Sequence, residues 1–230
     1  MTVPSQADAA RLSATLQRGA AATPEVLAAL AAAWKSLVTP FPGESEPLLV
    51  VDGAGHPYTP HLFVPRWLCH LLGLRHRCAQ VLVHWASPAM GGVYVLQLRN
   101  WDKLDSPGTL DISVGGHVKG QATPEQTAYD EMLEELGIHR ADLDGGALRY
   151  CGGYDSYAEQ GNDFRNAEWR DVFAADIRSL DMLRFADGEV AGAYLCPADG
   201  ADRLLAQSRV PLASSLAPSL RLVKERSSTP

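Results

Sequence analysis

Three glutamates crowd one short stretch of the chain: Glu131, Glu134 and Glu135, within "GGHVKGQATPEQTAYDEMLEELGI" (115–138). At helical spacing they fall on a single face, and no Lys or Arg lies between positions 120 and 139 to relieve them. Like charges four residues apart cost a helix roughly 0.2–0.5 kcal/mol per pair. A solvated acidic face is the commonplace account, but such faces usually mix signs. A divalent cation explains the pattern better. Mg²⁺ takes one or two carboxylates, several waters and the oxygens of a substrate phosphate. The pair Gly115-Gly116, just before the helix, lets backbone approach such a site closely.

The elements that must hold these residues are well signalled. Thr123 is an expected N-cap, Pro124 occupies the first helical position, and Gln126 completes a T-x-x-Q capping box. Gly137 marks the C-terminal stop. Ala128, Met132 and Leu136 repeat every four residues and provide a face to bury. Upstream, "CAQVLVHW" (78–85) and "VYVLQLR" (93–99) read as strands joined by a hairpin-length loop. "TLDISVG" (109–115) alternates, with Leu110, Ile112 and Val114 facing one way. "WRDVFAADI" (169–177) and "VAGAYLC" (190–196) read as further strands, and "ADRLLAQS" and "APSLRLVKE" as closing helices. Residues 1–45 form a separate N-terminal helical extension, ended by the Pro- and Gly-bearing "TPFPGESEP"; its expected role is packing or a homodimer contact. Residues 46–230 form the main domain.

The 230 residues are 46% hydrophobic and 20% charged, ordinary for a soluble globular protein. A net charge of −7 argues against nucleic acid or an anionic membrane surface as partner. The four cysteines, Cys69, Cys78, Cys151 and Cys196, form no CxxC pair and read as free thiols in a reducing, cytoplasmic compartment. No apolar run reaches the roughly 20 residues that span a bilayer.

The register from Gly116 to Ile138, G-x5-A-x7-D-E-M-x-E-E-x-G-I, resembles the Nudix box. The resemblance implies an α/β fold, an α/β/α sandwich around a mixed sheet. It also implies Mg²⁺- or Mn²⁺-dependent hydrolysis of a diphosphate linkage in a nucleoside diphosphate or related small molecule. By that resemblance the metal ligands are the Gly115 carbonyl, Glu131, Glu134 and Glu135, with Glu134 and Glu135 catalytic. Two positions depart: Ala122 stands where the family has a glutamate and Asp130 where it has an arginine. Those residues brace the helix glutamates in the family, so a slow hydrolase or a module that only binds its ligand is a second reading.

The flanks, "HRCAQVLV" (76–83), "LQLRNWDKLDSPGTLDISVGGHV" (96–118) and "NAEWRDVFAADI" (166–177), resemble the isopentenyl diphosphate isomerase-like branch of Nudix proteins. This match makes Arg99 and Lys103 the expected grip on the diphosphate. It aligns Glu168 with a catalytic, metal-contacting glutamate, and Asn166 with that residue's partner glutamate. His76 and His117 align with metal ligands, but the third ligating histidine of that branch has no clear counterpart near Cys69-His70. The catalytic cysteine of the isomerases falls on Gly115, which has no acid or base to offer, so isomerisation is disfavoured and His117 is expected to be a loop residue. For the general base the sequence leaves Glu168, Glu189 and the loop carrying Asp155, Glu159 and Asp163 open.

Overall fold

The computed structural model of the chain describes residues 46–103, 105–160, 164–186 and 188–227. The expected helical extension over 1–45 lies outside them, as do Asp163 and the side chain of Glu159. The chain divides into two compact units. One runs through Cys78 and takes in His117–Ala122 and Tyr154–Arg170; the other comprises Ala79–Gly116, Thr123–Gly153 and the chain from Asp171 onward.

The first unit opens on strands β1 (Pro47–Leu49) and β2 (Phe63–Pro65), paired antiparallel with Leu48 opposite Val64. A seven-residue helix, α1 (Arg66–Leu72), follows and ends on Gly73, whose φ of 65° is the left-handed conformation that stops a helix. Leu68, Cys69 and Leu72 of α1 bury themselves against Leu48, Val50, Leu62 and Val64. The sequence pattern does not mark α1. Seven residues offer too few turns for periodicity to show.

A seven-stranded sheet is built on β3 (His76–Ser87) and β4 (Gly91–Arg99), with β5 (Leu110–Asp111), β6 (Val114–His117), β7 (Arg149–Gln160), β8 (Phe164–Ile177) and β9 (Val190–Pro197). β3 and β4 form the expected hairpin, antiparallel from Val83–Val95 to Ser87–Gly91. Beyond Val83 the two strands part. β5 pairs with β4 at Gln97 and Leu98, while β6 pairs with β3. At the fork the Ser113 hydroxyl accepts from the Val83 N–H at 2.7 Å and donates to the Val95 carbonyl. A side chain thus replaces the ladder bonds that the parting strands forgo. β9 runs antiparallel along the other edge of β4.

In the second unit, helix α2 (Pro124–Leu136) covers one face of this sheet. Ala128, Met132 and Leu136 are fully buried against Val81, Val83 and Val95; burial of each large side chain contributes about 1.5–3 kcal/mol. Gln80, which points to the opposite face of β3, accepts from Ser219 Oγ at 2.8 Å. Ser219 belongs to α4 (Leu216–Ser227), which follows the short helix α3 (Ala201–Gln207). Helices therefore lie on both faces, and the expected α/β/α arrangement is observed. The stretch expected to be a loop, "YDSYAEQGNDF", instead continues β7 through Gln160; its polar residues after a glycine pair give no strand pattern.

Candidate functional site

The ends of α2 form as their residues dictate. Thr123 Oγ1 accepts from the Gln126 N–H at 3.1 Å, and Gly137 closes the helix at φ 69°. The capping box is only half made, since the Gln126 side chain donates instead to Asp130 Oδ1 at 2.8 Å.

The three glutamates do not share one face. Glu131 and Glu135 are 8% and 3% exposed, whereas Glu134 faces solvent. Successive residues turn by about 100°, so Glu134 is offset by about that angle from Glu135. The Glu131 carboxylate lies directly over Gly116: a Cβ built there would be 2.0 Å from Glu131 Oε1 and 2.1 Å from its Cδ. Gly115 is less confined, its Cβ meeting nothing nearer than Gln80 Cγ at 3.5 Å. Glu135 Oε2 accepts from Gln97 Nε2 at 3.3 Å. Two buried carboxylates over a glycine cradle form a donor set of hard oxygens, which suits Mg²⁺ or Mn²⁺. The residues fit the ion that the sequence implied.

The two expected phosphate-gripping cations have partners within the protein. Arg99 donates through Nε and Nη2 to the Asp105 carbonyl at 3.2 and 3.0 Å, and its Nη1 lies 3.6 Å from Asp111 Oδ2. Lys103 Nζ meets Glu189 Oε2 at 2.5 Å, so one candidate base is tied to one candidate phosphate ligand. Asp155, another candidate base, is held in a two-pronged pair by Arg75, at 2.6 and 2.9 Å. Asp130 is exposed and points toward Gln126.

The first unit contains a second cluster. His70 on α1, His76 at the start of β3 and His117 at the end of β6 converge, with candidate ligand atoms all within 4.8 Å of one another. Their rings are 4.8–5.5 Å apart. Glu168 on β8 adds a carboxylate: its Oε1 is 3.2 Å from His117 Nε2 and 3.8 Å from His76 Nε2. His76 Nδ1 is 2.9 Å from the Leu74 carbonyl. A carbonyl only accepts, so the proton sits on Nδ1 and the Nε2 lone pair faces the cluster. That Nε2 is buried with no hydrogen-bond partner. Burial first, then the neighbouring His117, lowers the His76 pKa to about 4; burial, with His76 and His117, lowers that of His70 to about 2. Both imidazoles are therefore neutral and able to ligate. Burial works to raise the Glu168 pKa, but the Arg170 charge and the two histidines override it and hold the carboxyl well below the usual range. An orphaned buried lone pair among neutral imidazoles and one carboxylate suits a transition metal.

His70 supplies the third histidine that the sequence does not place, because five residues and a helix end separate it from His76. The signal was Gly73 in "CHLLGLRH", which stops α1 and turns the chain back. His117 is not a loop residue; it ends a strand and faces its two counterparts.

No protein-family model matches the chain, and no curated protein matches it. Solved structures do. DR0079 from Deinococcus radiodurans aligns over 76% of this chain and 98% of its own, at 16% identity and a TM-score of 0.53. The Nudix domain of Shewanella oneidensis NrtR, solved with ADP-ribose, aligns over 66% and 88%, at 13% and 0.50. The MutT protein of Methanosarcina mazei aligns over 67% and 96%, also at 13% and 0.50. The chain has the Nudix fold. Its likeness to the isomerase-like branch rests on the sequence motifs alone.

Proposed function

We propose that the chain is a metal-dependent hydrolase that cleaves a diphosphate linkage in a nucleoside diphosphate or a related small molecule. The observation that carries this is the Glu131 carboxylate seated on Gly116, with Glu135 buried one turn further along α2. Glu131, Glu135, Glu134 and the Gly115 carbonyl would hold Mg²⁺ or Mn²⁺. Such an ion neutralises phosphate charge and makes bound water a nucleophile near neutral pH. Gln97 fixes the Glu135 carboxylate through its amide. Arg99 and Lys103 lie on β4 and just beyond it; to reach a phosphate, Lys103 must exchange Glu189 for substrate. His70, His76, His117 and Glu168 would hold a second ion of the transition series.

A screen of nucleoside diphosphates, nucleotide sugars and dinucleotides for Mg²⁺- or Mn²⁺-dependent phosphate release tests this reading, with Glu135→Gln as the control. We expect release by the natural protein and none by the variant, whose fold should survive. Equal release by both would remove the carboxylates from the mechanism.

A second reading, a module that binds a nucleotide or diphosphate without turning it over, is favoured by one observation. Asp130 faces solvent and bonds Gln126, so the family's arginine brace is missing and is not replaced from that position. Saturable binding with no turnover in either metal would establish it. Among the described residues no helix is long and apolar enough to cross a membrane. The four buried free thiols accord with a cytoplasmic location, which we include in the proposal.

A further inference from the structure

Glu168 divides its two oxygens. Oε2 receives both Nε and Nη2 of Arg170, each at 2.6 Å, while Oε1 is left facing His117 and His76. Both partners are buried, 4% and 6% exposed. Arg170 also bonds the Tyr154 side chain, which anchors the guanidinium from a second strand. Residues 166, 168 and 170 alternate onto one face of β8. Asn166 therefore stands beside Glu168, and its buried Oδ1 has no hydrogen-bond partner.

We propose that Arg170 is a positioning residue that turns Glu168 into a one-oxygen ligand and sets which metal the histidine centre accepts. The proposal rests on reading His70, His76 and His117 as a metal centre. A free carboxylate can chelate with both oxygens. Here Oε2 is already spoken for by two charge-assisted bonds, so a second oxygen is not offered. The centre then presents three imidazoles and one carboxylate oxygen. Its one negative charge is offset by the Arg170 cation. Mg²⁺ and Ca²⁺ want several oxygen ligands, usually anionic, and such a set serves them poorly. Zn²⁺ or Co²⁺ accepts three imidazoles and one oxygen in four-coordinate geometry. Arg170 thus separates the metal preference of this centre from that of the α2 carboxylates.

The test is metal binding by the full chain after chelator treatment. Zn²⁺, Co²⁺ and Mg²⁺ are titrated calorimetrically, and the visible absorption of bound Co²⁺ reports coordination number. His76→Ala identifies the signal belonging to this centre. The natural protein should bind Zn²⁺ and Co²⁺ there, with a four-coordinate Co²⁺ spectrum, and not Mg²⁺. Arg170→Met should weaken Zn²⁺ about 10–100-fold, as the loss of a ligand-orienting partner commonly does, and should shift the Co²⁺ spectrum toward higher coordination. Removing one partner of a buried ion pair endangers folding, so Arg170→Lys is the second variant. It keeps the charge but not the two-pronged grip, and the same spectral shift is expected. If the natural protein and His76→Ala bind transition metals alike, the histidine centre itself is refuted. If His76→Ala abolishes binding but both Arg170 variants, or the lysine variant where the other does not fold, match the natural affinity and spectrum, the role of Arg170 is overturned and the centre stands.

Discussion

The substitution Gly116→Ala isolates the Glu131 cradle. The new Cβ would lie 2.0 Å from Glu131 Oε1, and real Cβ atoms essentially never come closer than about 3.0 Å to such a neighbour. The carboxylate must therefore retreat by about 1 Å. It sits at the end of a flexible side chain, so the backbone need not move. An off-rotamer adjustment costs about 0.5–1.5 kcal/mol, and about 1 kcal/mol shifts Tm by only about 2–4 °C in a chain of this size. The function is less forgiving. Mg²⁺–oxygen distances are about 2.0–2.1 Å, and a 1 Å misplacement of a reacting group can cost about 100-fold in rate. We expect Gly116→Ala to lose about 10–100-fold in metal-dependent phosphate release, to need more Mg²⁺ for half-activation, and to melt within a few degrees of the natural protein. Gly115→Ala is the control, since its Cβ would find only ordinary contacts at 3.5–3.7 Å and its carbonyl is retained. Rate, Mg²⁺ titration and calorimetric melting of the three proteins decide the matter. Natural Mg²⁺ dependence in Gly116→Ala, or equal damage from Gly115→Ala, would refute the cradle.

Two further outcomes follow from the same geometry. Asp130 and Glu134 are like charges four apart on the exposed side of α2. Asp130→Arg replaces repulsion with attraction and should raise stability by about 0.5–1 kcal/mol while tightening Mg²⁺; denaturant melts and Mg²⁺ titrations would show neither effect if Asp130 is irrelevant to the helix carboxylates. Asp176 is hydrogen-bonded by His84 at 2.7 Å, which, against a smaller effect of burial and with help from the His84 charge, lowers its pKa below 3.8. A carboxyl lowered on folding contributes stability that is present above its unfolded pKa and is lost as pH falls through the folded value. The stability gap between the natural protein and Asp176→Asn should therefore be full near pH 6 and shrink below about pH 4. A gap that does not change with pH would mean the pair is not coupled to folding.

What the sequence disclosed depended on how local each signal was. Thr123 and Gly137 fix the ends of α2 through bonds to residues within one turn, Pro124 does so through its fixed φ, and all three act as expected. The hairpin β3–β4 was legible because apolar β-formers run uninterrupted over Val81–Val83 and Val93–Leu96. The expected single face of three glutamates divides, because spacings of three and four do not place residues alike: the core formed by Ala128, Met132 and Leu136 draws Glu135 inward and leaves Glu134 outside. The histidine centre was the least legible. Its residues come from α1, β3, β6 and β8, and only the fold brings His70 to His117. Arg170 gave no motif at all; its meaning appears only where its guanidinium meets one oxygen of Glu168.

The fork between β3 and β4 has a consequence for motion. The segment carrying Gly115 and Gly116 is no hanging loop. It lies within β6, which pairs with β3, while β5 just upstream pairs with β4, and Ser113 between the two ties both arms together by bonding Val83 and Val95. To let the Gly115 carbonyl wander, the protein would have to unzip two strand pairings at once. Such openings approach the free energy of global unfolding, so the Val83 amide should be among the slowest in the chain to exchange with solvent. The Gly115 carbonyl would then be held at a fixed point of the backbone, and adjustment to a changing ligand would fall to the exposed Glu134.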